Sequence, residues 1–157
     1  MIIKLDNSDR AVAQQIFAVF QRSYKIEAEL IGTLDFPPLT RSAQDIQHSK
    51  TAFYGFTEQQ NLGAVIEIVI EDKHLEIHSL TVDPKYFRRG IADRLINYIL
   101  AEIEFTEAIV ETAEVNIPAI NLYNKHGFTE FKKWTPSHGI PKVAMVLEPA
   151  SNTILHK

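Results

Sequence analysis

Three stretches of the chain carry apolar residues at intervals of three and four positions, which is the period of an amphipathic helix. The first follows the polar residues 7–9, which suit helix capping, and extends to about residue 31, either whole or with one break. The second covers residues 90–104, and the third covers residues 117–126. The pattern therefore predicts three substantial helices, of which the first two are the longest.

Proline, asparagine and glycine indicate where further elements begin and end. Pro37 and Pro38 predict a loop, because neither residue can donate a backbone hydrogen bond, and a short helix is predicted after them over residues 40–48. Asn116 suits the N-cap of the third long helix, and Gly127 suits its C-terminal end.

Shorter apolar runs, several of them alternating with polar residues, predict the strands of a sheet. These strands cover residues 2–5, 52–56, 62–70, 75–82, 108–115, 129–134 and 143–147. In the third strand, the alternating apolar residues are predicted to share one face: Leu62, Ala64, Ile66, Ile68 and Ile70. Strands and helices alternate only in part, so the fold class is α/β, with a mixed twisted sheet of about six to seven strands flanked by helices.

The fourth strand contains a shift in its alternation. Its apolar residues fall first at the odd positions Leu75 and Ile77, and then at the even positions Leu80 and Val82. A change of parity within one strand requires an extra residue, so we predict a β-bulge at His78 or at the residue after it. Bulges are frequent beside ligand sites, and this one marks a candidate site.

Length and composition restrict the class of protein. The chain has 157 residues, 45% of them hydrophobic and 23% charged, which predicts one globular domain over residues 1–157 with a flexible tail at residues 150–157. There is no cysteine, so disulfides, thiolate metal sites and a cysteine nucleophile are excluded. His74 and His78 lie about 13 Å apart in an extended strand, too far to share a metal ion. No metal is expected.

Charge and the N-terminal residues indicate the environment. The net charge is −4, which provides no general attraction to nucleic acid or to anionic membranes, so neither is expected as a partner. The first six residues lack the apolar stretch of a signal peptide, and no apolar run is long enough to span a bilayer. We therefore expect a cytoplasmic protein.

The turn between the fourth strand and the second long helix has the features of an anion site. The first N–H groups of a helix have no partner within the helix, and the helix dipole makes that end positive. Gly90 allows the backbone to approach a phosphate, small Ala92 leaves room, and Arg88 and Arg89 can reach outward to further negative charge. The alternative is an ordinary strand-to-helix turn with exposed arginines.

Two motifs resemble those of the GNAT superfamily, the GCN5-related N-acetyltransferases. Phe87-Arg88-Arg89-Gly90-Ile91-Ala92 is similar to the family's R/Q-x-x-G-x-G/A turn, although Phe87 stands where Arg or Gln is usual. The segment from Asn116 to Phe128 matches every named position of its N-x-x-A-x-x-L-Y-x-K-x-G-F signature. The resemblance covers nearly the whole chain. It implies the GNAT acyl-CoA N-acyltransferase fold and acetyl-CoA as co-substrate.

The resemblance also implies roles for individual residues. The backbone amides of the turn from Phe87 to Ala92, Ile91 included, would hold the pyrophosphate of acetyl-CoA. The backbone groups of the strand beside the bulge would pair with the amides of its pantetheine arm, at Leu80, Thr81 and Val82. Asn116 would contact that arm or its surroundings, with a simple N-cap as the alternative. Tyr123 would act as general acid for the departing thiolate, since a phenol with a pKa of about 10 can donate a proton. The alternative for Tyr123 is packing alone.

A base is needed because an amine acceptor arrives protonated. Glu76 is the first candidate, since it lies on the bulged strand, where some GNAT histone acetyltransferases carry a base glutamate. His78 is the second: it faces the same side if the bulge starts after it, and a histidine titrates near neutral pH. Glu67 and Glu111 are held in reserve. For each of the four, a solvated or hydrogen-bonded strand residue is the alternative.

The acceptor pocket is predicted from aromatic and charged residues in two loops. They are Asp35, Phe36, Trp134 and His138. A carboxylate among aromatic rings suits a cation, and anchoring of the loops is the alternative.

These observations predict an N-acetyltransferase that moves an acetyl group from acetyl-CoA to a primary amine by direct attack in a ternary complex. The acceptor would be a small molecule or a peptide, and pairing of sheet edges into a homodimer is one expectation. The rival hypotheses are a CoA-binding regulatory domain without turnover, a protein or peptide N-acetyltransferase, and a phosphate-binding domain of unrelated chemistry.

Overall fold

The computed structural model describes residues 1–32 and 37–149, in which seven strands form one sheet. The strands are β1 (Ile2–Leu5), β2 (Ala52–Glu58), β3 (Asn61–Glu71), β4 (His74–Val82), β5 (Glu107–Ala113), β6 (Thr129–Trp134) and β7 (Lys142–Leu147). The α-helices are α1 (Arg10–Ile31), α2 (Ala43–Gln47), α3 (Ile91–Glu102) and α4 (Ile117–Lys125). The predicted mixed α/β architecture is confirmed.

The strand order across the sheet is β1-β2-β3-β4-β5-β7-β6. Neighbouring strands are antiparallel except for β4 and β5, which are parallel. Buried side chains form two apolar clusters. One joins the sheet to α3 and α4, and the other joins it to α1 and α2. The single parallel pair therefore lies near the middle of the sheet, with helices packed against both faces.

The first helix is unbroken. The Asp9 carboxylate accepts hydrogen bonds from the N–H groups of Ala11 and Val12, which satisfies two donors that the helix leaves unpaired. The helix ends at Ile31, where Gly32 takes the left-handed conformation with φ 85° and returns its N–H to α1 carbonyls. Along its 22 residues, α1 packs against β3 and β4. The hydrophobic pattern allows one break in this helix, and α1 has none.

The segment with two prolines differs from the prediction. Pro37 and Pro38 begin a 3-10 helix, Pro37–Thr40, in place of a plain loop. A proline suits the first turn of a helix because its φ is already set and the missing donor is not needed there. The following helix is shorter than predicted and starts at Ala43, where Ser42 and Asp45 form a reciprocal capping box.

Gly63 causes the one error in the predicted strand pattern of β3. The pairing of β2 with β3 shifts after Phe56, which pairs with Ala64 while Thr57 pairs with Leu62. Gly63 is thus an extra residue, and Leu62 turns to the opposite face, where it packs against the α1 cluster. The prediction that Leu62 shares a face with the later apolar residues was wrong.

A side chain at Gly63 is expected to destabilise the protein. A Cβ built there would lie 3.0 Å from carbons of the Tyr86 ring, which is buried and packs edge-on against Phe56 at 6.4 Å. Because that ring is held in the core, Gly63→Ala should lower the free energy of unfolding by about 1–3 kcal/mol. Urea denaturation of the variant and the wild type measures the difference. Equal midpoints would mean that the ring can move aside.

The remaining predicted boundaries shift by one or two residues. The strand predicted over residues 108–115 runs from Glu107 to Ala113, and the helix predicted to end at residue 126 ends at Lys125. The predicted flexible tail lies outside the described residues. None of the described helices has the length and apolar character needed to cross a bilayer.

Candidate functional site

The centre of the sheet opens where β4 and β5 separate. They pair only from His74 with Glu107 to Ile77 with Val110. The predicted bulge is confirmed at this point: Ile77 pairs with one residue of β3 and Ser79 with the next, which leaves His78 as the extra residue. Beyond it, β4 continues against β3 alone. Two strands that leave each other in this way create a cleft between them.

A cavity of about 440 Å³ fills this cleft. Its wall combines residues from α1, β4, β5, the start of α4 and the segments before β7. Its lining includes Tyr24, Glu27, His78, Leu80, Glu111, Asn116, Tyr123, His138 and Lys142. Six residues predicted from the sequence as site candidates are therefore brought together here: His78, Leu80, Glu111, Asn116, Tyr123 and His138. The predicted base Glu76 is not among its lining residues.

Tyr123 is buried, with 4% of its surface exposed. Its ring meets Phe128 edge-on at 5.6 Å, and the N–H of Phe128 donates to the Tyr123 carbonyl where the chain leaves α4 at Gly127. Burial raises the pKa of the phenol well above its ordinary value, and the nearby Tyr24 and Glu27 act in the same direction. The hydroxyl is therefore protonated at neutral pH and can donate a hydrogen bond.

The side chain of Asn116 contributes both to a helix cap and to the cavity wall. Its Oδ1 accepts the N–H of Ala119 at 3.2 Å, which confirms the predicted N-cap of α4. Its side-chain amide also lies near enough to the carboxylate of Glu27 on α1 to oppose the effect of burial on the pKa of that group. Asn116 and Glu27 thus line the same cavity from α4 and α1.

Glu27 is the functional candidate that the sequence reasoning missed. Burial raises its pKa, and the Asn116 amide and the charge of Lys142 oppose that effect. A signal was present in the sequence: Phe20, Tyr24 and Ala28 form the buried stripe of α1, and Glu27 borders that stripe. Its position beside this stripe is the signal that the sequence offers, since charged side chains are mostly exposed.

A second cavity, of about 520 Å³, adjoins the first. Glu76, His78, Glu67 and Glu111 all line it. Glu76 and His78 face the same side, as predicted, with 3.6 Å between Oε1 and Nε2, and more than two fifths of each side chain is exposed. Three of these four predicted base candidates are thus partly exposed, and the fourth, Glu67, is buried.

Glu67 is held by several donors. The Arg41 guanidinium contacts both of its oxygens, at 2.7 and 2.9 Å, and the hydroxyls of Thr51 and Ser79 donate at 2.6 and 3.1 Å. Burial alone would raise the pKa of Glu67, but the Arg41 charge and these hydrogen bonds together keep it below its ordinary value. A carboxylate bound in this way is a poor proton acceptor.

The turn that leads into α3 has an unusual backbone. Arg88 and Gly90 both have positive φ, 64° and 72°. Gly90 is the N-cap of α3 and provides no side chain to satisfy the first N–H groups of that helix. A Cβ at Gly90 would meet nothing within 4 Å, so in the protein alone it is the left-handed conformation that favours glycine here. Phe87 is 43% exposed.

The two arginines of this turn differ. Arg89 forms an ion pair with Glu58 at the end of β2 and lies 5.4 Å from the Tyr86 ring centre. In the protein alone, the Arg89 guanidinium is paired with a carboxylate 31 residues away in the chain, and its contact with a phosphate stays a prediction. Arg88 is exposed and has no ion-pair partner in the part of the chain that the structure describes.

Comparison with known proteins identifies the family. The family model described as the acetyltransferase (GNAT) family matches residues 14–128. The chain belongs to this family.

Relatives and solved structures agree with this assignment. The chain is 34% identical over 141 residues to the UPF0157 protein YqkA of Bacillus subtilis, and the match covers 89% of this chain but only 41% of YqkA. The ribosomal-protein-S18-alanine N-acetyltransferase of Escherichia coli superposes with a TM-score of 0.74 at 19% identity, covering 94% of this chain and 92% of the other. The PaiA N-acetyltransferase of Thermoplasma acidophilum, solved in complex with coenzyme A, gives 0.75 at 18% identity, covering 95% and 98%. The GNAT fold is thus established.

Of the predicted acceptor residues that the structure of this GNAT fold describes, one lines the first cavity and one does not. His138 lines the first cavity, and its Nδ1 accepts the N–H of Ile140 at 3.2 Å. Trp134 lines neither cavity, and the ammonium groups of Lys132 and Lys142 lie over its ring at 4.7 and 5.9 Å. Asp35 and Phe36 lie outside the described residues.

Proposed function

We propose that this GNAT protein is an N-acetyltransferase that moves the acetyl group of acetyl-CoA to a primary amine by direct attack. The observation that carries this proposal is the cavity at the separation of β4 and β5, with the protonated phenol of Tyr123 in its wall. Family membership supports acetyl transfer in general, and the fold likeness to a protein solved with coenzyme A supports the co-substrate.

The residues present fit coenzyme A in two respects. From Leu80 to Val82, β4 pairs with β3 on one side, while its register with β5 has already ended. That free edge suits the amides of a pantetheine arm, which can add to it as a further strand would. Because no side chain caps the start of α3 at Gly90, the first N–H groups of this helix are available to a pyrophosphate. The exposed Arg88 side chain can contact further phosphate charge.

Each residue then has a defined task. When bound, acetyl-CoA supplies an acetyl group activated as a thioester. Tyr123 donates a hydrogen bond to the sulfur as it leaves, in a buried position where such a bond is stronger than in water. Glu76 and His78 are the base candidates predicted from sequence, and both line the second cavity. No cysteine exists in the chain, and Ser79, which lines the cavity, is bonded to Glu67, so attack by the amine itself is the expected route.

Thiol release tests the proposal. The protein is incubated with acetyl-CoA and with polyamines, amino sugars, amino acids and short peptides in turn, and free CoA is followed with a thiol reagent. Turnover that depends on one acceptor class would support the proposal and name the class, a peptide or a small amine. Tight CoA binding by calorimetry without turnover on any member would favour a regulatory CoA-binding domain. Absence of CoA binding would refute both.

A further inference from the structure

The first cavity contains a carboxylate whose surroundings differ from those of the other glutamates near the two cavities. Glu27 is partly buried on α1, one turn after Tyr24, and faces the cavity that Tyr123 also lines. The Asn116 amide lies beside it and opposes the effect of burial on its pKa, while the oxygen of the same amide accepts the N–H of Ala119 at 3.2 Å. The bond to Ala119 holds the Asn116 side chain at the start of α4, in the wall of the cavity that Glu27 also lines.

The cationic side chains of this cavity are bound to other carboxylates. Arg41 forms its ion pair with Glu67, and Lys142 lies 3.2 Å from Glu111. Within residues 1–32 and 37–149, Glu27 has no ion pair of its own. The Asn116 amide beside it is neutral and does not compensate its charge. A cation that enters the cavity therefore finds an available counter-charge at Glu27.

We infer that Glu27 binds the ammonium group of the acceptor and removes its proton, which makes it a catalytic residue of the proposed reaction and makes cationic primary amines the substrate class. The inference rests on the proposed function. Glu27 takes one proton as the N–H bond breaks, and the freed electron pair of nitrogen forms the new bond to the acetyl carbon. The C–S bond breaks with its electrons on sulfur, Tyr123 gives sulfur its proton and regains one from nitrogen, and Glu27 releases its proton to water.

Three other carboxylates near the two cavities suit this task less well. Glu76 and Glu111 are 43% and 49% exposed, and each already has an ionisable partner, His78 at 3.6 Å and Lys142 at 3.2 Å. Glu67 is buried, but the Arg41 guanidinium is bound to both of its oxygens. Among these four, Glu27 is the one that is partly buried and has no ion-pair partner within the described residues.

A binding experiment tests the inference without a known acceptor. Protein labelled with ¹³C at glutamate side-chain carboxyls is saturated with CoA, and the Glu27 signal is assigned by its loss in Glu27→Gln. n-Propylammonium chloride is the probe, and tetramethylammonium chloride, which has the charge but no N–H donor, is its control. We expect n-propylammonium to shift the Glu27 signal and lower its titration midpoint, and tetramethylammonium to have little effect. If n-propylammonium changes neither the chemical shift nor the titration midpoint of the Glu27 signal, the inference is overturned.

A kinetic experiment tests the same residue by a separate readout. Gln at position 27 keeps the size of the side chain and an oxygen that can accept hydrogen bonds, so Glu27→Gln should fold normally while it loses the base. With any acceptor found by thiol release, kcat/KM for the amine should fall by about 10²–10⁴-fold, and the acidic limb of its pH profile should disappear. Glu29→Gln removes the same charge from the exposed side of the same helix and should behave as wild type.

Failure of this inference can be distinguished from failure of the proposed function. Turnover by Glu27→Gln at the wild-type rate, with the acidic limb retained, would refute the role of Glu27 and leave the acetyltransferase intact. Absence of turnover by the wild type on every acceptor would count against the proposed function. In that case the n-propylammonium titration still decides whether Glu27 is an ammonium site.

Discussion

Tyr123→Phe is expected to lower kcat for acetyl transfer by about 100-fold or more, with little change in the KM for acetyl-CoA. The substitution removes only the hydroxyl, and a phenylalanine ring can keep the edge-on contact with Phe128 at 5.6 Å. The lost group is the donor to the departing sulfur, and a positioned acid typically contributes 10²–10⁴-fold. Since the donor acts on the reacting bond and not on the bound ground state, the loss belongs in kcat. Initial rates over a range of acetyl-CoA concentrations measure it.

A matched control separates this effect from a general loss of packing. Tyr98 is a partly buried tyrosine of α3 that packs against Tyr54 at 5.9 Å and lines neither cavity. Tyr98→Phe should therefore leave both kinetic constants unchanged. Because burial raises the pKa of Tyr123, the wild-type rate should also show no decline from loss of its proton below about pH 10. Full activity in Tyr123→Phe would exclude the phenol as the acid.

The fold could be predicted from sequence because its elements are specified locally. Alternation and helical period fix the faces of most strands and helices. The parity shift between Ile77 and Leu80 limited the bulge to His78 or the next residue without any knowledge of its partners, and the structure has it at His78. The same reasoning failed at Gly63. There, the cause is the ring of Tyr86, which is distant in sequence and requires a residue without a Cβ beside it.

The site could be predicted only where it is built from continuous motifs. Asn116 and Tyr123 belong to one short helix and its cap, so their separation in the sequence determines their distance in the structure. Glu27 faces them from α1, almost ninety residues earlier, and Glu58 binds Arg89 from the end of a hairpin. Contacts of this kind depend on tertiary packing, which residue pattern and charge type do not reveal.

Arg41→Ala should be strongly destabilising, lowering the free energy of unfolding at pH 7 by about 3–5 kcal/mol. It leaves Glu67, only 1% exposed, without the cation that compensates its charge. It also removes the contact of the guanidinium with the rings of Phe20 and Phe53, each 5.8 Å away. Chemical denaturation measures the loss. Lys133→Ala, which removes an exposed cation paired with Glu114 and Glu130, should stay within about 0.5 kcal/mol of wild type.

The pH dependence identifies the cause of that loss. In the wild type the pKa of Glu67 is lowered, so its contribution is present above the ordinary glutamate pKa of about 4.3 and is lost as the pH falls through the folded value. Without Arg41, burial is the dominant effect and raises the pKa of Glu67. As the pH falls, protonation then removes the buried charge and makes the variant less destabilised. The difference in unfolding free energy between wild type and Arg41→Ala should therefore be smaller at pH 5 than at pH 7. The double variant Arg41→Ala with Glu67→Gln should be more stable than Arg41→Ala alone at pH 7. A deficit independent of pH would assign the loss to ring packing, because only the buried charge responds to protons.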